Sequence, residues 1–207
     1  MPDLTLELAL QARGHRRIAG VDEAGRGPLA GPVAAAAVIL PRKFRCPGLN
    51  DSKKISAPNR EQLYHRLTSD PKVCWTVATA DREEIDRLNI LRATHLAMRR
   101  ALDALSPAPD HCLIDGLPIR HFAWNHDAVV QGDSLSLSIA AASIIAKVTR
   151  DRIMRELDAE FPEFGFAQHN GYGTKMHLEA LRTHGPCCHH RRTFQPVAQL
   201  ALPLDHG

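Results

Sequence analysis

The 207-residue sequence predicts an α/β fold, a mixed sheet covered by helices. Three observations carry that expectation. Three strand-like runs come early in the chain. Strand and helix patterns then alternate. A helix-rich tail follows from about residue 150.

Residues 16–22 form an apolar run that reads as a strand ending at the acids Asp22 and Glu23. Residues 31–40 read as a second strand. Their alanines also suit a helix, but Pro32 and the short length favour a strand. Residues 72–80, rich in Val, Thr and Trp, make a third. Residues 111–115 and 127–131 supply a short fourth and a fifth. One helix follows Ser56, a residue type suited to an N-cap, with Leu63 and Leu67 one turn apart. Another runs from about Asn89 to Leu105. The longest begins near Ser134 and reaches about Glu160. The last starts after Thr174 and stops before Gly185-Pro186, a C-terminal signal. No repeat or low-complexity linker interrupts the chain, so one domain over residues 1–207 is expected, with a helical extension over about 150–207.

Apolar residues make up 44% of the chain, which suits a globular protein with a real core. The net charge is only +3, so bulk charge does not by itself demand a nucleic acid. The five cysteines are odd in number, with Cys187 and Cys188 adjacent, which reads as reduced thiols in a cytoplasmic protein. No apolar run nears the ~20 residues that span a bilayer, so no membrane association is expected. The N-terminal stretch carries Asp3 and Glu7 without a basic start and does not read as a secretion signal.

Four acids stand where strands end. Asp22 and Glu23 are adjacent, and two like charges side by side cost free energy unless a cation offsets them. Asp115 closes the run Cys112-Leu113-Ile114 before Gly116. Asp133 precedes the long helix. Hard divalent cations such as Mg²⁺ take oxygen ligands and few carboxylates, with water and phosphate completing the shell. Taken singly, Asp133 also reads as a helix cap and Asp115-Gly116 as an ordinary turn.

Gly25, Arg26 and Gly27 follow the paired acids. With Ala30 they formally fit a dinucleotide fingerprint, but such a loop opens a helix, whereas Pro28 and Pro32 lead here into a strand-like run. A tight turn between strands is the plainer alternative, although Arg26 between two glycines is placed to reach a ligand. On the long helix, Ser136, Ser143, Lys147 and Arg150 fall on one stripe that suits a phosphate backbone, or else a solvated face. Lys53 and Lys54 form a further basic spot. Tyr172, flanked by glycines, suits stacking on a sugar or base, or docking of its loop onto the core. Cys187, Cys188, His189 and His190 lack the spacing of a zinc site. They lead into Arg191 and Arg192, read as a basic exposed segment.

The string IAGVDEAGRGPLAGPV at 18–33 closely resembles the signature of the bacterial ribonuclease HII family, the type 2 ribonucleases H. In order follow LNDSKK at 49–54, LNILRATHLAM at 88–98, LIDG at 113–116, GDSLSLSIAAASIIAKVTRDR at 132–152, FGFAQHNGYGT at 164–174 and HRRTFQPV at 190–197. The resemblance implies a ribonuclease H-like fold, a five-stranded mixed sheet flanked by helices with a C-terminal helical extension. It implies an endonuclease that hydrolyses RNA in RNA–DNA hybrids and cuts 5′ of ribonucleotides embedded in duplex DNA. Asp22, Glu23, Asp115 and Asp133 fall on its metal-binding acids, which implies two divalent cations, Mg²⁺ or Mn²⁺. Gly25, Arg26 and Gly27 fall on its ribose-sensing loop and Tyr172 on its junction-sensing tyrosine. Lys53, Ser143 and Lys147 fall on positions near the nucleic-acid backbone. A monomer is expected, and residues 197–204 carry no evident interaction motif.

Overall fold

A computed structural model describes residues 1–200; the last part of segment 197–204, and of the expected helical extension, lies outside the described residues. Five strands form one sheet in the order β3-β2-β1-β4-β5. They are β1 (Ile18–Ala24), β2 (Val33–Ile39), β3 (Cys74–Ala80), β4 (His111–Asp115) and β5 (His126–Val129). β2 runs antiparallel to β1 and β3, while β1, β4 and β5 are parallel. Parallel strands put their carboxyl ends on one edge of the sheet, and the acids gather there.

Eight helices accompany the sheet among the described residues: α1 (Thr5–Ala12), α2 (Ala57–Ser69), α3 (Arg82–Leu88), α4 (Ile90–Ala104), α5 (Leu137–Glu160), α6 (Phe166–His169), α7 (Lys175–His184) and α8 (Val197–Leu200). All five expected strands and the four expected helices form. Their bounds shift in informative ways. β1 runs two residues beyond Asp22, because Glu23 and Ala24 still pair with Ala35 and Ala34. β5 begins earlier and stops at Val129. The long helix starts at Leu137, after a 3-10 turn over Gly132–Ser134. Its N-cap is Ser136, whose hydroxyl accepts from the Ile139 N–H, so Asp133 is not the cap. Four helices were not expected: α1, α3, α6 and α8. Of these, α3 carries a capping box, Asp81 with Glu84, which is a sequence-level start signal.

The sheet packs on both faces, and four of the seven β2 residues are alanine. Ala35 and Ala37 face Ala93, Ala97, Ala101 and Leu102 of α4. Ala36 and Val38 face Ala140, Ala141, Ile144 and Ile145 of α5, with Leu63 and Leu67 of α2 beyond. Small side chains bring both helices close to the backbone. The helix backbone itself comes nearest at Gly20 in β1, where a Cβ would stand 2.1 Å from the carbonyl carbon of Ser138. A third apolar cluster joins Leu29, Ala30 and Met154 to Phe164, Phe166, Leu181 and Val197, and so fastens the tail to the glycine loop.

Because a methyl at Gly20 meets backbone rather than a movable side chain, Gly20→Ala is expected to cost roughly 3 kcal/mol or more. Chemical denaturation measures it, and a loss below about 1 kcal/mol would show that α5 can shift.

Candidate metal and nucleic-acid site

The register of β1 on β4 brings the acids together. Val21 lies opposite Ile114, which places Asp22 and Asp115 next in line on adjacent parallel strands. Neighbouring strands lie about 4.8 Å apart. Strand alternation sends both toward the α5 side, since Ile18 and Leu113 on that parity pack with Ile139 of α5. The Gly132 N–H, just past β5, donates to Asp115 Oδ1 at 2.6 Å. That bond holds the turn that carries Asp133.

Burial and like charge set the electrostatics. Asp22 is buried, and its carboxyl is held well above the usual range by desolvation, then by the charges of Glu23 and Asp115. The Glu23 N–H, donating to Asp22 Oδ1 at 2.7 Å, and Ser143 offset part of this. Glu23 is also raised, by burial first and by Asp115; Arg26, 3.2 Å from its Oε1, and Lys53 act against the shift. Burial raises Asp133 as well, helped by Asp51 and Asp115. Lys53 is pulled upward by Asp22, Asp133, Asp51 and Asp115, which outweigh its own partial burial. All four acids named from the sequence therefore sense one another or one lysine.

Asp51 is a fifth acid at this place, which sequence reasoning missed although it lies in LNDSKK. It caps the turn Ser52–Lys54, accepting from the Lys53 N–H at 2.9 Å, and aims Lys53 at the cluster. Among the described residues no three His, Cys, Asp or Glu side chains are by themselves arranged to hold a metal ion. The donor set fits hard divalent cations in kind: all oxygen, partly desolvated and short of positive charge. Such ions also use water and substrate oxygens, so a closed protein cage is not required.

Beside the acids lies an open cleft of about 360 Å³, lined by Asp22, Glu23, the glycine loop, Lys53, Ser143, Lys147 and Tyr172. Asp115 and Asp133 are not in its lining. The loop is the connection between antiparallel β1 and β2 and opens no helix, which removes the dinucleotide reading. Gly25 has φ +96°, a conformation that favours glycine. The Tyr172 ring is half exposed and lies by Gly27, where a Cβ would be 3.4 Å from Cε1. Its backbone docks on the core, but its ring does not.

The stripe on α5 divides. Ser143 and Lys147 line the cleft; the Ser143 hydroxyl bonds Ser52 Oγ at 2.8 Å and Lys147 pairs with Asp151. Ser136 is buried against Glu7 and does not reach the cleft surface. Arg150 touches the cleft but is 1% exposed, so it is neither a phosphate tracker nor part of a solvated face. Its guanidinium donates to the carbonyls of Pro32, Ala30 and Asn170. It fills the space that a side chain at Gly25 would need, with Nε 1.9 Å from the Cβ position. Arg191 needs the same correction: expected exposed, it is fully buried and donates to the carbonyls of Gly25, Arg26 and Gly31. Arg192 is exposed as expected. Burial lowers Arg191 to about 9 and Arg150 to about 10, and the two remain cations at neutral pH. Periodicity cannot distinguish an arginine bonded to carbonyls from one facing water.

Residues 19–197 fit the family model described as Ribonuclease HII. The chain belongs to the ribonuclease HII family. It is accordingly a ribonuclease H, an endonuclease. A ribonuclease HII of Syntrophotalea carbinolica is 53% identical over 196 residues, covering 95% of this chain and 93% of the relative. The crystal structure of the ribonuclease H2 from Pyrococcus horikoshii superposes with a TM-score of 0.74 at 28% identity, covering 89% of this chain and 97% of that one. Bst-RNase HIII in complex with Mn²⁺ gives a TM-score of 0.67 at 19% identity, over 89% of this chain and 68% of that one, and shares the fold. No described helix is long and apolar enough to cross a membrane.

A carboxyl raised above its unfolded value stabilises the fold below that unfolded value and loses the contribution as pH rises through the folded one. Metal-free protein at neutral pH therefore bears a cost for holding Asp22 buried beside Glu23 and Asp115. Asp22→Asn is expected to raise its melting temperature at pH 7 by about 2–4 °C, roughly 1 kcal/mol. The gain should shrink as pH falls toward the unfolded value of 3.8. Melts in chelator read this, and an unchanged midpoint would mean Asp22 carries no such cost.

Proposed function

We propose that this endonuclease hydrolyses RNA in RNA–DNA hybrids and cuts on the 5′ side of ribonucleotides embedded in duplex DNA. It leaves 5′-phosphate and 3′-hydroxyl ends and serves removal of ribonucleotides from DNA. The single observation that carries the reading is the strand register that lines up Asp22 with Asp115 beside a cleft floored by the glycine loop. Residues 1–207 act as one catalytic domain and as a monomer.

Asp22, Glu23, Asp115 and Asp133 would hold two divalent cations, Mg²⁺ or Mn²⁺. Bound there, such ions supply Lewis-acid activation of a water and charge stabilisation at the leaving 3′-oxygen. The rest is done by the chain's own groups. Water is the nucleophile, so the ribose 2′-hydroxyl is read rather than used for attack; Gly25 and Gly27 let backbone approach it, and Arg26 borders it. That hydroxyl is what distinguishes RNA from DNA at a given site. The exposed Tyr172 ring stacks beneath the neighbouring deoxyribose, where an extra hydroxyl fits poorly. Lys53, Ser143 and Lys147 lie along the cleft where phosphates pass. Four acids at one sheet edge favour turnover over a catalytically silent binding module.

Asp22→Asn is expected to abolish Mg²⁺-dependent nicking of a labelled duplex with one ribonucleotide while the protein still binds that duplex. Full activity would remove Asp22 from the metal site. Tyr172→Ala should lower cleavage at the single ribonucleotide about tenfold or more while an RNA tract suffers less. Equal losses on both substrates would leave Tyr172 a structural role only.

A further inference from the structure

Three histidines lie buried behind the cleft, and the proposed reaction uses none of them. His177 and His190 are each fully buried. Their Nε2 atoms are 2.9 Å apart. His177 Nδ1 is 2.9 Å from the carbonyl oxygen of Tyr172. His190 Nδ1 lies 3.0 Å from the Cys187 backbone nitrogen and 3.1 Å from its Sγ. The chain of contacts thus runs from the C-terminal segment to the backbone of Tyr172.

The two ends decide every proton between them. A carbonyl only accepts, so His177 Nδ1 carries hydrogen and donates to Tyr172. A backbone N–H only donates, so His190 Nδ1 is a bare acceptor. Each ring being neutral, His190 Nε2–H then donates to the lone pair of His177 Nε2. One added proton anywhere creates a donor–donor contact at one of these short distances. The surroundings keep the pair neutral. Phe164 and Phe166 pack round them, with ring centroids 4.8 Å from His190 and 5.5 Å from His177 respectively. His177 opens α7, where the helix dipole disfavours a cation. The titratable neighbours are His169, stacked on His177 at 4.5 Å, with Cys187 and His189. Burial first, then His177, lowers His190 to about 3. His169 is bonded separately: the Gly171 N–H donates to its Nδ1, leaving Nε2–H for the Phe164 carbonyl.

We propose that His177 and His190 are positioning residues, a one-way hydrogen-bond relay that ties the Tyr172 backbone to the C-terminal segment and so sets the exposed Tyr172 ring beside the glycine loop. The same segment reaches that loop directly, through the buried Arg191 and through the pairing of Ala30 with His190. The loop and the tyrosine are thereby referred to one support. The functional consequence rests on the reading of Tyr172 given above.

The test uses the full chain labelled with ¹⁵N-histidine at neutral pH. Long-range proton–nitrogen spectra are expected to show His177 as the Nδ1–H tautomer and His190 as the Nε2–H tautomer. His177 as Nε2–H, or either ring as an imidazolium, overturns the relay. In cleavage assays, His177→Leu removes the donor to Tyr172. It should lower kcat on a duplex with one ribonucleotide about tenfold, with KM changed less than about twofold. His177→Asn, which keeps a donor near the Nδ1 position, should restore activity to within about threefold of the parent. In a Tyr172→Ala background His177→Leu should cost nothing further, and an additive loss overturns the proposal. If His177→Leu does not fold, His190→Leu removes the donor to His177 Nε2 and carries the same comparison. If Tyr172→Ala alone changes nothing, the role given to Tyr172 fails, and the relay is judged by the tautomers and by amide exchange at Tyr172 and Thr174. Faster exchange in His177→Leu supports the relay, and unchanged exchange overturns it.

Discussion

The seating of α5 on β1 is the contact on which the cleft depends. At Gly20 the helix backbone comes so near the strand that no side chain fits between them. That approach puts Ser143 within reach of Asp22 and of Ser52, so helix, strand and the Lys53 turn meet at one point. The alanines of β2 extend the same close packing across the sheet. Small residues here define how near the charged ones stand to one another. Burying several carboxylates at this junction opposes folding, and the apolar area on both sheet faces must outweigh it.

A second constraint lies beneath the glycine loop. Arg150 and Arg191 turn two guanidiniums toward backbone carbonyls, three each. A hydrogen bond to a charged group contributes about 1.5–3 kcal/mol, and an unmet buried donor costs a similar amount. The loop is therefore held firmly although its glycines leave the backbone exposed to a ligand. The pair also places positive charge under a region rich in acids. Arg150 bonds the carbonyl of Asn170 as well, so the Tyr172 loop and the glycine loop share a support.

Much of the architecture was legible in the sequence. Strand runs such as 31–40 and 111–115 are short, apolar and bounded by breakers, and local sterics suffice to place them. Helix starts were less legible. Asp133 looked like a cap, yet Ser136 takes that role because a 3-10 turn intervenes. The α5 stripe was harder still, since Ser143, Lys147 and Arg150 share a periodicity but not an environment. Ser143 and Lys147 border the cleft, whereas Arg150 lies under a glycine that leaves room for it. His177, His190 and Asp51 carried no periodic signal, because their partners lie on other elements.

The sequence by itself determined the chemistry on offer: paired acids at a strand end, a glycine–arginine–glycine turn, a tyrosine between glycines, and the family to which such strings belong. Those are local facts, carried by residue type and short-range order. Only the tertiary structure decided which groups share a site. The offset of β1 against β4 put Asp22 beside Asp115, and the packing of the tail turned Arg191 and His190 inward. Charge proximity and burial depend on distance through space, and strand pairing sets that distance between residues some ninety positions apart in the chain.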